Sequence, residues 1–355
     1  MSETTRGNIK KVMVVGASPD RLNTNSVLRG YVADGFSKIL GSDHVLSVPM
    51  ESVSQAVLKF QPDVVLVFGS CMPDSSYYIS LRTHCDEMRV PLCFWLHDDP
   101  YEFDFFRKIV PYADHIFSND RFASLHYPNK YQATLWQRRN KPDEERQAEE
   151  KQETGIPEKK KFVSHLPLAA SETTHFFPIL DESEMENDIF FCGVAFENRR
   201  QMIRDLHPIL KKYRTYIVGP GWEDMGFQYC FGGNLSNREF ARIANRSRFV
   251  LNMGRHGDLA NSLYQLTPST PGPRTFEAAM AGGLQLFFAE GLEILDYFSA
   301  PDEIFLFDSR NDVEEIFASQ ALSERCVCRA NAQKRALRDH TYVNRARVVL
   351  GSLGF

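Results

Sequence analysis

The chain has 355 residues, 43% of them hydrophobic and 25% charged, with a net charge of −5. That length suits about two globular domains of ~150 residues each. The acidic balance argues against a general nucleic-acid binder, whose affinity comes largely from neutralising phosphates; a local basic patch stays open. The seven cysteines (Cys71, Cys85, Cys93, Cys192, Cys230, Cys326 and Cys328) are odd in number and irregularly spaced. No pair has C-x-x-C spacing, so free thiols in a reducing compartment are expected and a zinc site is not. Met1 to Lys11 is polar and lacks the apolar core of a signal peptide. The longest apolar runs, such as Val64 to Phe68, fall far short of the ~20 residues that span a bilayer. A cytoplasmic location without a transmembrane segment is the expectation.

Along the chain, short β-branched or apolar runs alternate with helical stretches. Val12 to Val15, Val64 to Phe68, Leu92 to Leu96 and Ala113 to Phe117 read as strands buried on both faces. Ser26 to Leu40 and Ser52 to Phe60 read as helices between them. The alternation predicts a parallel sheet flanked by helices. Residues 137–161 break the pattern with many charges of both signs and almost no apolar side chain, and read as a solvated helix or flexible insertion. Phe162 to Leu168 resumes a strand. Glu172 to Pro178 reads as the exit from the first domain, and the acidic stretch to Asp188 as a hinge linker.

A second series follows. Strands are predicted at Ile189 to Gly193, Thr215 to Gly219, Arg248 to Asn252, Leu284 to Phe288 and Ile304 to Phe307. Helices are predicted at Arg199 to Tyr213, Asn237 to Ala244 and Pro273 to Ala281, with a short one over Gly291 to Phe298. The fold class is therefore α/β, with two doubly wound Rossmann-like domains: an N-terminal one over 1–178 and a C-terminal one over 188–330. A C-terminal helical segment, 331–355, is expected to pack back on the first. In open sheets of this kind ligands sit outside the carboxyl ends of the strands, and with two domains the expected place is the cleft between them.

The segment Ser269 to Glu290 carries the most chemistry. Ser269 or Thr270 can cap a helix, Pro273 suits its first turn, and Gly282–Gly283 end it. A helix N-terminus attracts anions, and Arg274 adds a phosphate donor there. Glu277, one turn deeper, can accept from two vicinal hydroxyls, as on a ribose. The plainer alternative, a first-turn glutamate with Arg274 as its surface partner, fits the spacing equally well. His97, Asp98 and Asp99 follow a buried strand, and a histidine that titrates near neutrality can serve as acid or base; here too a capping aspartate beside a structural histidine is the alternative. The loop Gly16 to Ser26 lacks G-x-G-x-x-G, and from it Asn23, Asn25 and Ser26 are taken as acceptor-side cleft residues. No D-x-D occurs, which argues against a transferase that holds its diphosphate with a metal. His256 and Asp258 are close enough to suggest a metal, but read better as a loop over the donor.

PGPRTFEAAMAGGLQLFFAEGLEILDYF resembles the C-terminal signature of the CgeB-like (spore maturation protein type) glycosyltransferases, which are similar to the broader retaining GT-B enzymes. FWLHDDP at Phe94, DHIFSND at Asp114, DIFFCGVAFENR at Asp188, IVGPGW at Ile217, FVLNM at Phe249 and HTYVNRA at His340 follow in the expected order. The resemblance covers roughly residues 60–350. It implies a GT-B fold, a nucleoside diphosphate sugar (UDP among the candidate bases) as donor, and no further cofactor. It also implies a set of donor contacts. Glu277 would take the ribose. Arg274, Thr275 and Arg199 would line the diphosphate, with Gly193 allowing close backbone approach, and Gly219 and Trp222 would lie near the base. The histidine at position 97 would sit near the transferred sugar. One departure stands out: many retaining enzymes carry a second glutamate eight residues before the ribose-binding one, and here that position is Ser269. The acceptor, the retaining or inverting outcome and the oligomeric state stay open. Nucleic acid is not an expected partner. Competing readings are a non-catalytic GT-B-like scaffold, a nucleotide-sugar epimerase on the same fold, and a DNA-modifying transferase.

Overall fold

The structure is a computed structural model that describes residues 10–20, 25–70, 75–127, 162–256, 260–319 and 322–354. The charged segment 137–161 and Asn23 lie outside the described residues. The chain divides into two compact units. The first comprises Met1–Leu166, Asp258–Pro268 and Ala346–Phe355; the second comprises Pro167–Gly257 and Ser269–Arg345. Residues 167–178, placed with the first domain by sequence, thus belong to the second unit, as does most of the 331–355 segment.

The first unit holds a six-stranded sheet in the order β2-β1-β3-β4-β5-β6. Its strands are β1 (Val12–Gly16), β2 (Val45–Val48), β3 (Val64–Phe68), β4 (Leu92–Leu96), β5 (His115–Ser118) and β6 (Phe162–His165). Every pairing is parallel. All residues of β1, β3 and β4 are buried, as expected where helices cover both faces of a sheet. The helices are α1 (Asn25–Leu40), α2 (Val53–Phe60), α3 (Ser75–Met88) and α4 (Arg121–His126). One core joins Val15, Val67 and Phe94 to Val57 of α2 and to Tyr78 and Leu81 of α3.

The second unit has its own all-parallel sheet, in the order β12-β11-β10-β7-β8-β9. The strands are β7 (Asn187–Cys192), β8 (Thr215–Val218), β9 (Cys230–Phe231), β10 (Ser247–Asn252), β11 (Gln285–Phe288) and β12 (Phe305–Phe307). The helices are α5 (Glu172–His175), α6 (Glu197–Leu210), α7 (Asn237–Asn245), α8 (Pro273–Met280), α9 (Arg310–Ser319) and α10 (Leu322–Asp339); α11 (Tyr342–Ser352) begins in this unit and ends in residues of the first. Successive side chains go to opposite faces. Phe191 and Leu251 pack with Ile203 and Leu206 of α6, whereas Phe190 and Val250 pack with Phe240 of α7 and Ala278 of α8. Because β7 lies between β8 and β10, the chain reverses its direction of winding there. The carboxyl ends of β7 and β10 therefore flank the switch point at which doubly wound sheets bind ligands. Among the described residues no helix is long and apolar enough to cross a membrane, and all six described cysteines are free.

His340 and Arg345 close the end of the second unit. Buried Arg345 donates to the carbonyls of Pro167 and Leu168. His340 Nε2 donates to the Tyr297 carbonyl at 3.1 Å, which leaves Nδ1 facing Arg345 Nη2 at 3.4 Å. Burial first, and then the charge of Arg345, lower the His340 pKa from 6.5 to about 4. A histidine depressed in this way stays neutral in the fold while the unfolded chain takes up a proton. Its contribution to stability is therefore complete above pH ~6.5 and is lost as pH falls towards 4. The expected loss over that window is about 3 kcal/mol. Urea unfolding at pH 7 and pH 4 should show the His340→Gln variant losing that much less than the parent protein; equal acid losses would refute the assignment.

Candidate functional site

The helix α8 follows the long connection from β10 and brings its N-terminus to the switch point of the second unit. Its cap residue is Gly272, with Pro273 in the first turn and no side-chain cap. Neither Ser269 nor Thr270 caps it, contrary to the sequence reading; the Thr270 hydroxyl donates instead to Glu293 at 2.8 Å. At the other end Gly282 turns left-handed at φ +75°, and Gly283 N–H reaches back to the Ala278 carbonyl, the geometry that closes helices on glycine. The last carbonyls then find side-chain donors. Met280 O accepts from Gln333, Ala281 O from Asn245 and Gly282 O from Arg329, at 2.9, 2.8 and 2.7 Å. Arg329 is 2% exposed, and its cation sits where the helix dipole is negative.

With α8 fixed, its N-terminal half carries the candidate groups. Glu277 is 2% exposed, a costly place for a carboxylate unless it is paired. Its Oε2 accepts from Arg274 Nη1 at 2.6 Å, and its Oε1 lies 3.4 Å from Nε2 of the fully buried His175. Arg274 also donates to Asn237 at 3.2 Å and stacks over the Phe240 ring at 4.1 Å, so its position does not depend on Glu277 alone. A third of its side chain stays exposed. Thr275 is buried; its hydroxyl accepts from Asn252 at 2.9 Å and its carbonyl from Gln285 at 3.0 Å, which ties the helix start to β10 and β11. Cys192, at the end of β7, is close enough to feel both Arg274 and Glu277, although burial is the larger cause of its raised pKa.

Four residues expected at the donor, Gly193, Arg199, Gly219 and Trp222, make close contacts within the second unit. Arg199 donates to the carbonyls of Gly254, Val194 and Met253 at 2.9, 3.1 and 3.2 Å. It ties the loop after β7 to the loop after β10. The cause is the need of those loop carbonyls for donors. Trp222 is fully buried, with Nε1 on the Gly193 carbonyl at 2.6 Å and its ring edge-on to Phe191. The Gly-Pro-Gly turn before it folds the indole into the core, where it offers no face to a base. Gly193 and Gly219 lie back to back: a Cβ on Gly219 would come within 2.1 Å of the Gly193 carbonyl oxygen. That contact accounts for the missing side chain at Gly219, whereas a Cβ on Gly193 would meet the Arg199 guanidinium at 2.9 Å. His175, Asn237, Asn252 and Gln285 were missed by sequence reasoning, since none carries a local pattern and their partners lie far along the chain.

In the first unit, β4 delivers His97, Asp98 and Asp99 together. The His97 ring is buried against Phe68, with Nδ1 3.2 Å from Asp98 Oδ2. Its Nε2 is buried without a hydrogen-bond partner among the described residues. Burial opposes its protonation, but the charge and hydrogen bond of Asp98, with Glu102, outweigh that and raise the pKa. Asp99 faces inward. It accepts from Ser118 at 2.6 Å and from Tyr127 at 2.9 Å, and burial pushes its pKa up to about 7 against those bonds. A cavity of about 10 Å³ between Asp98, Asp99, Glu102 and Tyr127 has room for roughly one water. Ser26 lies half-buried in the first turn of α1; the Asn25 side chain is outside the description. His256 Nε2 lies 3.7 Å from Glu290, and Asp258 is outside the described residues. Among the described residues no three His, Cys, Asp or Glu side chains come together as a metal site.

Residues 199–351, which include α8 and its clamp, match the family described as glycosyl transferase-like. No curated protein matches the chain. Solved structures match it end to end. The Anabaena HepE protein in complex with UDP shares 11% identity, with 97% of this chain and 99% of that one covered and a TM-score of 0.59. An alpha-glucosyltransferase in complex with UDP-glucose and DNA containing an abasic site shares 12%, covering 98% and 100%, at 0.62. Sucrose-phosphate synthase from Thermosynechococcus elongatus shares 10%, covering 97% and 98%, at 0.57. At such identities the likeness is one of fold: the chain has the GT-B architecture of two parallel α/β units.

The back-to-back glycines give a direct test of the loop geometry. Gly219→Ala should cost about 3 kcal/mol or more, because its Cβ meets backbone that cannot yield. Gly226, also left-handed but with nothing within 4 Å of a Cβ, should cost only about 1–2 kcal/mol when changed to alanine. Thermal unfolding of the two variants checks the contrast; equal costs would contradict it.

Proposed function

We propose that the protein is a glycosyltransferase that binds a nucleoside diphosphate sugar at the N-terminus of α8 and transfers the sugar to an acceptor. The observation that carries this reading is the buried Glu277 carboxylate, held at the switch point by Arg274 and His175. A buried carboxylate is stable there only with partners, and vicinal ribose hydroxyls are the partners a donor nucleotide brings. The glycosyl transferase-like match over the same segment supports it. The CgeB-like subtype rests on the ordered motifs from Phe94 to Ala346.

In this mechanism Glu277 takes the ribose diol. Arg274 and the positive end of α8 take the diphosphate and compensate the charge that grows on it as the glycosidic bond breaks. That compensation takes the place of a divalent ion, so the reaction is metal-independent and needs no cofactor besides the donor. Thr275 acts through the backbone, by fixing the helix start. His97, held by Asp98 with its pKa raised, is the proton-handling group, and Asp99, buried on Ser118 and Tyr127, is a second carboxyl at the end of the same strand. Ser269 stands where related retaining enzymes carry a second glutamate. That substitution favours one further reading, a nucleotide-binding protein without transfer activity, and release of labelled sugar from a bound donor separates the two.

The site predicts a thermal-shift result. A nucleoside diphosphate at about 100 times its Kd stabilises by ~2.7 kcal/mol. UDP, GDP, CDP or ADP should produce such a shift in the parent protein and little or none in Glu277→Ala. An equal shift in the variant would remove Glu277 from the site.

A further inference from the structure

His175 lies outside every motif that pointed to the donor site, yet it touches the site's central carboxylate. It closes the one-turn helix α5 and is fully buried. Its tautomer follows from counting hydrogen bonds. Nδ1 lies 3.0 Å from Ser171 N and 3.1 Å from Ser171 O. That carbonyl already accepts from Thr174 N–H and His175 N–H, at 3.2 and 2.8 Å, which uses both its lone pairs. The Ser171 amide has Nδ1 as its acceptor. Nδ1 therefore accepts, and the proton of the neutral ring is on Nε2, 3.4 Å from Glu277 Oε1. Burial is the main cause that keeps the ring neutral. Glu277 opposes it, and Arg274 and Arg238 reinforce it.

The carboxylate is thereby flanked at both oxygens: the neutral Nε2–H approaches Oε1 to 3.4 Å without closing a hydrogen bond, and the Arg274 guanidinium donates to Oε2. The two contacts differ in kind. Arg274 is a partly exposed cation that can turn to a phosphate, whereas the buried imidazole has nowhere else to go. A neutral donor also leaves the carboxylate its charge, and with it its strength as an acceptor. The geometry points to His175 as a positioning residue of the donor site, one that sets the plane of the Glu277 carboxylate so that it can take the two vicinal hydroxyls of a ribose. The inference rests on the reading of Glu277 as the ribose anchor.

The test measures binding of UDP, GDP, CDP and ADP, each against its 2′-deoxy counterpart, by calorimetry. The parent protein should favour the ribonucleotide roughly tenfold or more, the worth of one hydrogen bond to a charged group. His175→Phe keeps the ring volume and removes the donor. It should bind the deoxynucleotide as the parent does and favour the ribonucleotide less than about threefold. His175→Gln, which returns an N–H near the Nε2 position, should restore the preference. If the phenylalanine variant fails to fold, His175→Asn replaces it, since its shorter amide serves Ser171 but does not reach Glu277. In a Glu277→Ala background the His175 change should leave the ratio where it is. An unchanged ratio in His175→Phe, or an equal loss for both nucleotides, would make His175 merely structural. Absence of any nucleotide binding by the parent protein would overturn the donor reading, and this inference with it.

Discussion

A helix dipole can serve a ligand only if its other end is held, and in this protein that constraint falls on α8. Its carboxyl end lies deep in the second unit, where no water can take the last carbonyls. Asn245, Gln333 and Arg329 supply the donors instead, each from a different distance along the chain. Each bond is worth about 1 kcal/mol net, but leaving one of these carbonyls unpaired would cost more. The clamp fixes the helix axis, and the Thr275–Asn252–Gln285 bonds fix its rotation against the sheet. Glu277 and Arg274 then have little choice of position.

Several polar residues near the switch point are engaged with backbone groups in the same way. The loop after β7 and the start of the long connection after β10 expose carbonyls of their own. Arg199 spans them and Trp222 pins one of them from below. Arg274, partly exposed, is steadied by Asn237 and by the Phe240 ring. A site with one well-placed cation, a helix N-terminus and a buried carboxylate matches the charge pattern of a nucleoside diphosphate.

Much of this architecture is legible in the sequence, because parallel strands buried on both faces leave unbroken apolar runs. Val64–Phe68 and Leu92–Leu96 are read to the residue, and α8 within one. The edge strand β2, only partly buried, and the two-residue β9 leave no such run and are invisible. Glu277 and Arg274 were identifiable because a helix start carries local signals. The clamp was not: Asn245, Arg329 and Gln333 lie 36, 47 and 53 residues from the carbonyls they hold. His175 escaped for the same reason. The backbone partners of Arg199 and Trp222 were equally hidden, since an arginine and an aromatic beside glycines look the same whether they face a ligand or the loop's own backbone.

The measurement that bears most directly on the account is a crystal structure with a nucleoside diphosphate bound. The account predicts ribose hydroxyls within ~3 Å of the Glu277 carboxylate, with the diphosphate at the N-terminus of α8 beside Arg274. A nucleotide seated elsewhere, with Glu277 still closed on Arg274 and His175, would contradict it.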